Sequence, residues 1–242
     1  MDWTDDGIVL STRRHGETSA ILVLLTREHG RHAGLVQGGA GTRAQALLQP
    51  GNRVAATWRG RLAEHLGQYR CELVEAVAAR YLDDPLRLAG LAAACAVADQ
   101  TLPEREPHPA AFEGLAALLE LLDSPAWAAA YVQWELSLLA ELGFGLDLSR
   151  CALTGGNDQL AYVSPRSGRA VSLSAAEPWR DRLLPLPGFL AGRGGGGAEE
   201  ILQGLALTGH FLDAHLFAPH DRPLPEPRGL LIDRLRRNAT IC

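Results

Sequence analysis

The chain contains no lysine: all 23 basic residues among its 242 are arginine. A Walker-type phosphate lysine, a kinase-type nucleotide lysine and a Schiff-base lysine are therefore excluded, because each needs a primary amine at a fixed place. Long apolar runs are missing too, and no stretch approaches the ~20 residues of a membrane span. The four cysteines, Cys71, Cys95, Cys151 and Cys242, lie too far apart to frame a disulfide scaffold, so a reducing cytoplasm is the expected compartment. No Gly-x-Ser-x-Gly, His-Glu-x-x-His or Asp-x-Asp cluster occurs. Neither catalysis nor a cofactor is expected. The opening MDWTDDG is acidic and lacks a basic-then-apolar leader, so no secretory signal is expected.

Hydrophobic residues make up 47% of the chain and the mean hydropathy is -0.02, values of a globular protein with a sizeable core. The net charge is -5, which taken alone disfavours a polyanion partner. The charge is unevenly spread, however. Met1 to Tyr81 holds 10 arginines against 8 acidic residues, and the remainder holds 13 against 20.

The first third reads as strands. Ile8 and Leu10 mark a weak alternation over Gly7 to Thr12, and Ser19 to Thr26 is a nearly continuous apolar run. Arg31 to Gln37, Val54 to Trp58 and Gln68 to Val77 supply three more strands, punctuated at Gly30, Gly51-Asn52 and Gly60. Thr42 can cap a short helix over Arg43 to Leu48. Five short strands with a helix between the third and fourth fit an OB-type barrel; a small barrel without the helix is the other arrangement the pattern allows.

From Tyr81 the periodicity turns helical. Asp84-Pro85 is an N-cap followed by proline at the first helical position, opening a helix from Leu86 to about Thr101. A second helix carries Phe112, Leu115, Leu119 and Leu122 on one face. Ser124-Pro125 is expected to cap a third, in which Trp127, Tyr131, Trp134, Leu138 and Leu142 form one stripe. Leu160 to Val163 and Arg169 to Leu173 read as a small hairpin. Gly194 to Gly197 is a loop, since no Lys-Ser/Thr follows it. A helix over Ala198 to Phe217, a proline-rich connector over Pro219 to Pro227 and a basic helix over Arg228 to Asn238 complete the chain. The expected class is α+β, with a barrel domain at 1–80 and a helical domain at 81–242 that carries the hairpin at about 151–173.

The most specific stretch is Trp134 to Gly156, WELSLLAELGFGLDLSRCALTGG. A helix ends at Gly143, and a short linker leads to Cys151-Ala-Leu-Thr154-Gly155. That turn has the spacing of a metal knuckle with its second sulfur replaced by threonine. The stretch resembles the segment of the RecO family in which a Phe-Glu-Leu-x-Leu-Leu helix and a glycine run into Cys-x-x-Cys-Gly. Trp134 stands for the Phe, while Glu135, Leu136, Leu138, Leu139, Gly143 and Cys151 match.

In zinc-bearing members the hairpin would end in a second cysteine pair. Here Ala170, Val171, Ser172 and Ser174 take its place, so no structural zinc is expected and the hairpin counts as degenerate. The knuckle should hold on hydrogen bonds and packing. The resemblance covers nearly the whole chain. It implies an OB-fold barrel, a helical carboxy-terminal domain and a non-enzymatic recombination mediator at the bacterial nucleoid. Its implied partners are single- and double-stranded DNA, RecR and the carboxy-terminal tail of single-stranded DNA-binding protein. RecA would be served indirectly, and no membrane is involved.

Two residue sets are candidates for that work. Arg13, Arg14, Arg27, Arg31, Arg43, Arg59 and Arg61, with Arg53 beside them, sit at strand ends or turns. They are expected to form one continuous basic track, with Trp58 and Tyr69 as stacking partners; the plainer reading is a set of solvated arginines balanced by Glu17, Glu28 and Glu64. Trp127, Tyr131 and Trp134 are either a partner surface or a core stripe. Family members often carry a basic residue before the Phe-Glu-Leu motif, where this chain has Gln133. His29 with His32, and His210 with His215, are read as structural or solvated. The alternative function is a protein-interaction module whose barrel no longer binds DNA.

Overall fold

A computed structural model describes residues 1–241; the side chains of Arg43, Thr240 and Ile241 lie outside that description. The amino-terminal strands are β1 (Asp2–His15), β2 (Ser19–Thr26), β3 (Gly30–Val36), β4 (Arg53–Arg59) and β5 (Gln68–Glu75), with helix α1 (Thr42–Leu47) between β3 and β4. They close in the order β1-β2-β3-β5-β4.

Closure depends on the length of β1. Its first half pairs antiparallel with β4 from Asp2↔Arg59 to Ile8↔Arg53, and its second half pairs with β2 from Gly7↔Thr26 to His15↔Ser19. A bulge between Val9 and Ser11 makes the bend. The alternation over Gly7–Thr12 marks only the middle of this strand; the acidic first residues hide the rest, because that half is partly solvent-facing. The remaining closure is slight: β3 and β5 meet in parallel at the single pair Leu35↔Gln68.

Val9, Leu22, Leu24, Leu48, Val54, Ala56, Trp58 and Tyr69 fill the barrel. Ile21 and Leu25, on the other face of β2, are buried as well, which accounts for the unbroken apolar run. Helix α2 (Pro85–Thr101) packs against β1 and β2. Its cap is the expected one: the Asp84 side chain accepts from the backbone N–H of Leu86 and Arg87, with Pro85 next. Two other caps differ from expectation. Gly41 precedes α1, which starts at Thr42 with no side-chain cap. Ser124 Oγ accepts from Ala126 N, one turn ahead of a helix that begins only at Trp127.

The remaining elements are α3 (Pro109–Leu121), α4 (Trp127–Glu141), β6 (Leu160–Val163), β7 (Ala170–Ser172), the one-turn α5 (Leu173–Ala176), β8 (Leu184–Pro185), α6 (Ala198–Leu212) and α7 (Glu226–Ile241). A short π-helical turn, Asp213–Phe217, continues α6. The hairpin β6–β7 gains β8 as a third strand on β6, which a two-residue strand beside prolines did not advertise in the sequence.

The chain divides into two compact units. One comprises Met1–Glu120 with Pro225–Arg228; the other comprises Leu121–Leu224 and the segment from Gly229 onward. Helix α2 and nearly all of α3 therefore belong with the barrel. In the second unit α4 packs on α6. The mean of the chain is thus α+β, a strand-built amino-terminal part followed by helices.

Candidate nucleic-acid interface

The register of β1 decides where the arginines go. Arg13 and Arg14 lie at its far end, opposite Ile21 and Ala20, while Arg59 pairs with Asp2 at its beginning. Eleven residues at about 3.3 Å each put on the order of 35 Å of strand between Asp2 and Arg13. Arg13 and Arg14 therefore stand at one end of β1 and Arg59 at the other, while Arg53 pairs opposite Ile8 near its middle. Arg13, Arg14 and Arg61 are exposed and have no ion-pair partner among the described residues. Arg59 is 76% exposed, 3.7 Å from the Asp2 carboxylate.

Other members of the set are engaged inside the same compact unit. Arg27 is bonded to Glu113 of α3, and its guanidinium lies 4.6 Å from the centre of the Phe112 ring. Arg31 donates from Nε to Leu102 O at 2.8 Å and faces Asp99 at 3.3 Å. Arg53 lies between Glu75 (3.8 Å) and Glu120 (3.6 Å). These three tie helices to the barrel. Arg43 has its backbone in α1, but its side chain lies outside the described residues.

One cation was not singled out from the sequence. Arg70 on β5 is exposed and shares with Arg59 a shallow cavity of about 510 Å³, walled by Thr4, Thr57, Gln68 and Glu72. Thr4 Oγ1 and Thr57 Oγ1 lie 3.0 Å apart beneath it. The period-two pattern held the signal: Tyr69 points inward, so Arg70 points out.

The aromatic partners also change. Trp58 and Tyr69 are 1% and 5% exposed, core residues rather than a stacking surface. Trp58 is further fixed by donating from Nε1 to Leu66 O at 3.0 Å. Half-buried Trp3 takes the outer position instead. Its ring is parallel to His29 at 4.0 Å between centroids and edge-on to His32 at 5.1 Å. The His29 ring, held at Nδ1 by Asp5 at 3.0 Å, is thus part of a π-stack. His32 is 3% exposed; burial chiefly, and the Arg105 charge next, pull its pKa down to about 4.

In the second unit, Trp127, Tyr131 and Trp134 are 6%, 1% and 6% exposed, so the core-stripe reading describes their positions. An apolar hollow of about 540 Å³ elsewhere in that unit exposes Leu153 and Trp179 and carries Arg166 and Arg182. Nothing in the periodicity marks it, because its residues come from turns, the end of the hairpin and a short 3-10 helix.

At the knuckle, Cys151 is fully buried and its Sγ accepts from Ser172 N at 3.3 Å. Cys151 N donates to Gly156 O, and Gly155 N donates back to Cys151 O. Burial would raise the thiol; hydrogen bonds from Ser172 and Thr154 outweigh it and bring the pKa down to about 6. Among the described residues no group of three His, Cys, Asp or Glu side chains is placed to share a metal ion.

Two family models match the chain: Recombination protein O N terminal over residues 1–77 and Recombination protein O C terminal over residues 82–223. The chain belongs to the RecO family. It is 62% identical over 242 residues to the DNA repair protein RecO of Rhodospirillum centenum, covering 99% of this chain and 97% of the relative. Against the DNA repair protein RecO of Phenylobacterium zucineum it is 54% identical over 237 residues, covering 97% and 98%. Against that of Cereibacter sphaeroides strain ATCC 17029 it is 53% identical over 239 residues, covering 98% and 99%. RecO membership places the chain among proteins of DNA repair and recombination, and no helix among the described residues is long and apolar enough to cross a membrane.

Within the RecO motif, Glu135 is the residue with the least ordinary position. It is 0% exposed in α4, and its carboxylate accepts from Thr208 Oγ1 of α6. Thr208 Oγ1 also lies 3.1 Å from Gly204 O. Glu135 is legible in the sequence as a motif residue, but nothing there signals Thr208, 73 positions away, as one of its donors.

Proposed function

We propose that this RecO-family chain is a non-enzymatic recombination mediator. It binds single- and double-stranded DNA through its barrel, promotes annealing of complementary strands and, with RecR, helps RecA load onto DNA coated by single-stranded DNA-binding protein. The work is binding, with no bond made or broken. The barrel is read as an OB fold, on its five-strand order and the helix between the third and fourth strands. The functional division is 1–80 and 81–242, the second part carrying a degenerate zinc hairpin at about 151–173. Its place of action is the cytoplasmic nucleoid.

The observation that carries the DNA reading is the set of carboxylate-free guanidinium groups on the barrel: Arg13 and Arg14 at one end of β1, Arg61 and Arg70 near the other. Exposed arginines release counterions from phosphates and take them bidentately. Two separated patches suit two contacts on a strand, or one strand at each, better than one groove. For the acidic tail of single-stranded DNA-binding protein, the hollow at Leu153, Trp179, Arg166 and Arg182 offers apolar surface with cations beside it. Trp127, Tyr131 and Trp134 would then act by supporting the helical core.

The test is a salt titration of fluorescent single-strand binding by the full chain. Replacing Arg13, Arg14, Arg59 and Arg61 by alanine should weaken binding and make the log–log salt slope shallower by up to about 3. Unchanged affinity and slope would favour the second reading, an interaction module with a barrel that no longer binds DNA. That reading draws on Arg27, Arg31 and Arg53 being occupied by carboxylates.

A further inference from the structure

At the Trp3 end of the barrel a half-open cavity of about 580 Å³ lies over Trp3, His29 and His32, closed on its sides by Ala63 and Arg105. We propose that this cavity seats one unpaired nucleobase of a single strand, stacked on the Trp3–His29 pair. The proposal rests on the DNA-binding reading above and adds to it a site and a ligand class.

Four observations carry it. The floor is an aromatic stack already assembled: Trp3 lies between Trp58 (5.8 Å, 17° from parallel) and His29 (4.0 Å, 7°), and the outer ring, His29, remains 35% exposed to receive a base. Two polar groups at the cavity have unmet hydrogen-bonding capacity. His32 Nδ1 and Arg105 Nε are buried with no partner among the described residues, although His32 is 97% covered. Burial without a partner is unfavourable, and a base edge carries donors and acceptors of the kind both groups lack.

The backbone is also committed to this geometry. Arg105 holds a left-handed conformation (φ 61) while its N–H donates to Arg31 O at 2.8 Å and its Nη2 reaches His65 O at 3.1 Å. A non-glycine residue in that region is strained and persists where its surroundings hold it. Finally, the rim is acidic. Asp2 and Glu28 line the opening, and Asp5 holds His29 from below. Carboxylates repel phosphate but accept from exocyclic amines, so the flat base enters and the backbone stays outside. Arg61, exposed on the loop that supplies Ala63, is available to that backbone. Stacking of a base on an aromatic platform strengthens single-strand binding and tolerates sequence.

The test uses the full chain and three probes: a 2-aminopurine-labelled single strand, the same length of abasic strand, and a duplex. In the native protein the labelled strand should bind with quenched 2-aminopurine emission, and at least about fivefold more tightly than the abasic strand. Trp3→Leu should lose the quenching and lower labelled-strand affinity about fivefold or more, leaving abasic and duplex affinities within twofold. Trp3→Phe should keep a stacking face and restore most of the loss; circular dichroism of both variants separates a folding defect from a binding one. If native protein binds the labelled and abasic strands equally, or Trp3→Leu binds the labelled strand as native does, the base pocket is overturned while DNA binding stands. If native protein binds none of the three, the DNA reading falls and the pocket with it.

Discussion

Glu135 of α4 accepts a hydrogen bond from Thr208 of α6 inside the helical unit, where both side chains are 0% exposed. A fully buried carboxylate must be met by donors or it costs more than it contributes. This bond therefore helps set the register of two helices and gives the acidic residue one donor in an otherwise apolar motif. Glu135→Ala should destabilise the helical unit by about 1–3 kcal/mol. Glu135→Gln, which still accepts from Thr208, should lose less. Urea denaturation followed by far-ultraviolet circular dichroism checks both, and equal losses would show that the bond sets nothing.

The two classes of arginine should separate experimentally. Arg13→Ala with Arg14→Ala removes exposed cations, so it should weaken strand binding at low salt and leave the melting temperature within about a degree. Arg31→Ala removes the bond to Leu102 O and the pair with Asp99. It should lower stability by about 1–2 kcal/mol, since a partly buried charge-assisted bond is lost. Strand affinity of the folded fraction should not change. Electrophoretic mobility shifts and thermal melts on the same preparations decide it.

His32 links the barrel to pH. Its pKa falls from 6.5 to about 4 on folding, so the unfolded chain binds more protons between those values. Stability should then drop as pH falls from 6.5 towards 4 and be flat, for this group, above 6.5. His32→Asn cannot titrate and should reduce that slope. Melting temperatures at half-unit pH steps give the comparison; identical slopes would remove His32 from the account.

Gly30 has φ +65, and a Cβ there would sit 1.9 Å from the Glu106 carbonyl oxygen. Gly30→Ala therefore meets both a disfavoured backbone region and a collision with backbone. It should cost at least about 1 kcal/mol and shift the segment that carries Arg105. Loss of 2-aminopurine quenching alongside the melting shift is the expected pair of readouts.

Legibility from the sequence followed the physics of each element. An unbroken apolar run, as in β2, strong periodicity, as in α6, and strong local chemistry, as at Asp84-Pro85, identify elements correctly because those signals are local. The first half of β1 was invisible because a strand paired with β4 at the barrel's margin needs no apolar alternation. The site was legible only in part. Which arginines are free depends on carboxylates contributed by α2 and α3, at positions 68 and 86 residues away from Arg31 and Arg27. Trp3 lay in a stretch dominated by acidic residues, so its ring pairing with His29 could not be read before the turn after β2 was folded back beside it.

The contact of β3 with β5 at Leu35 and Gln68 alone, reinforced by Leu35 N donating to Gly67 O at 3.1 Å, makes one seam of the cylinder far thinner than the other four. Thermal breathing should begin by unzipping there, and the Leu35 amide should trade its proton for deuterium sooner than the amides of β2. A hinge of this kind would let the cylinder widen on one side without unravelling.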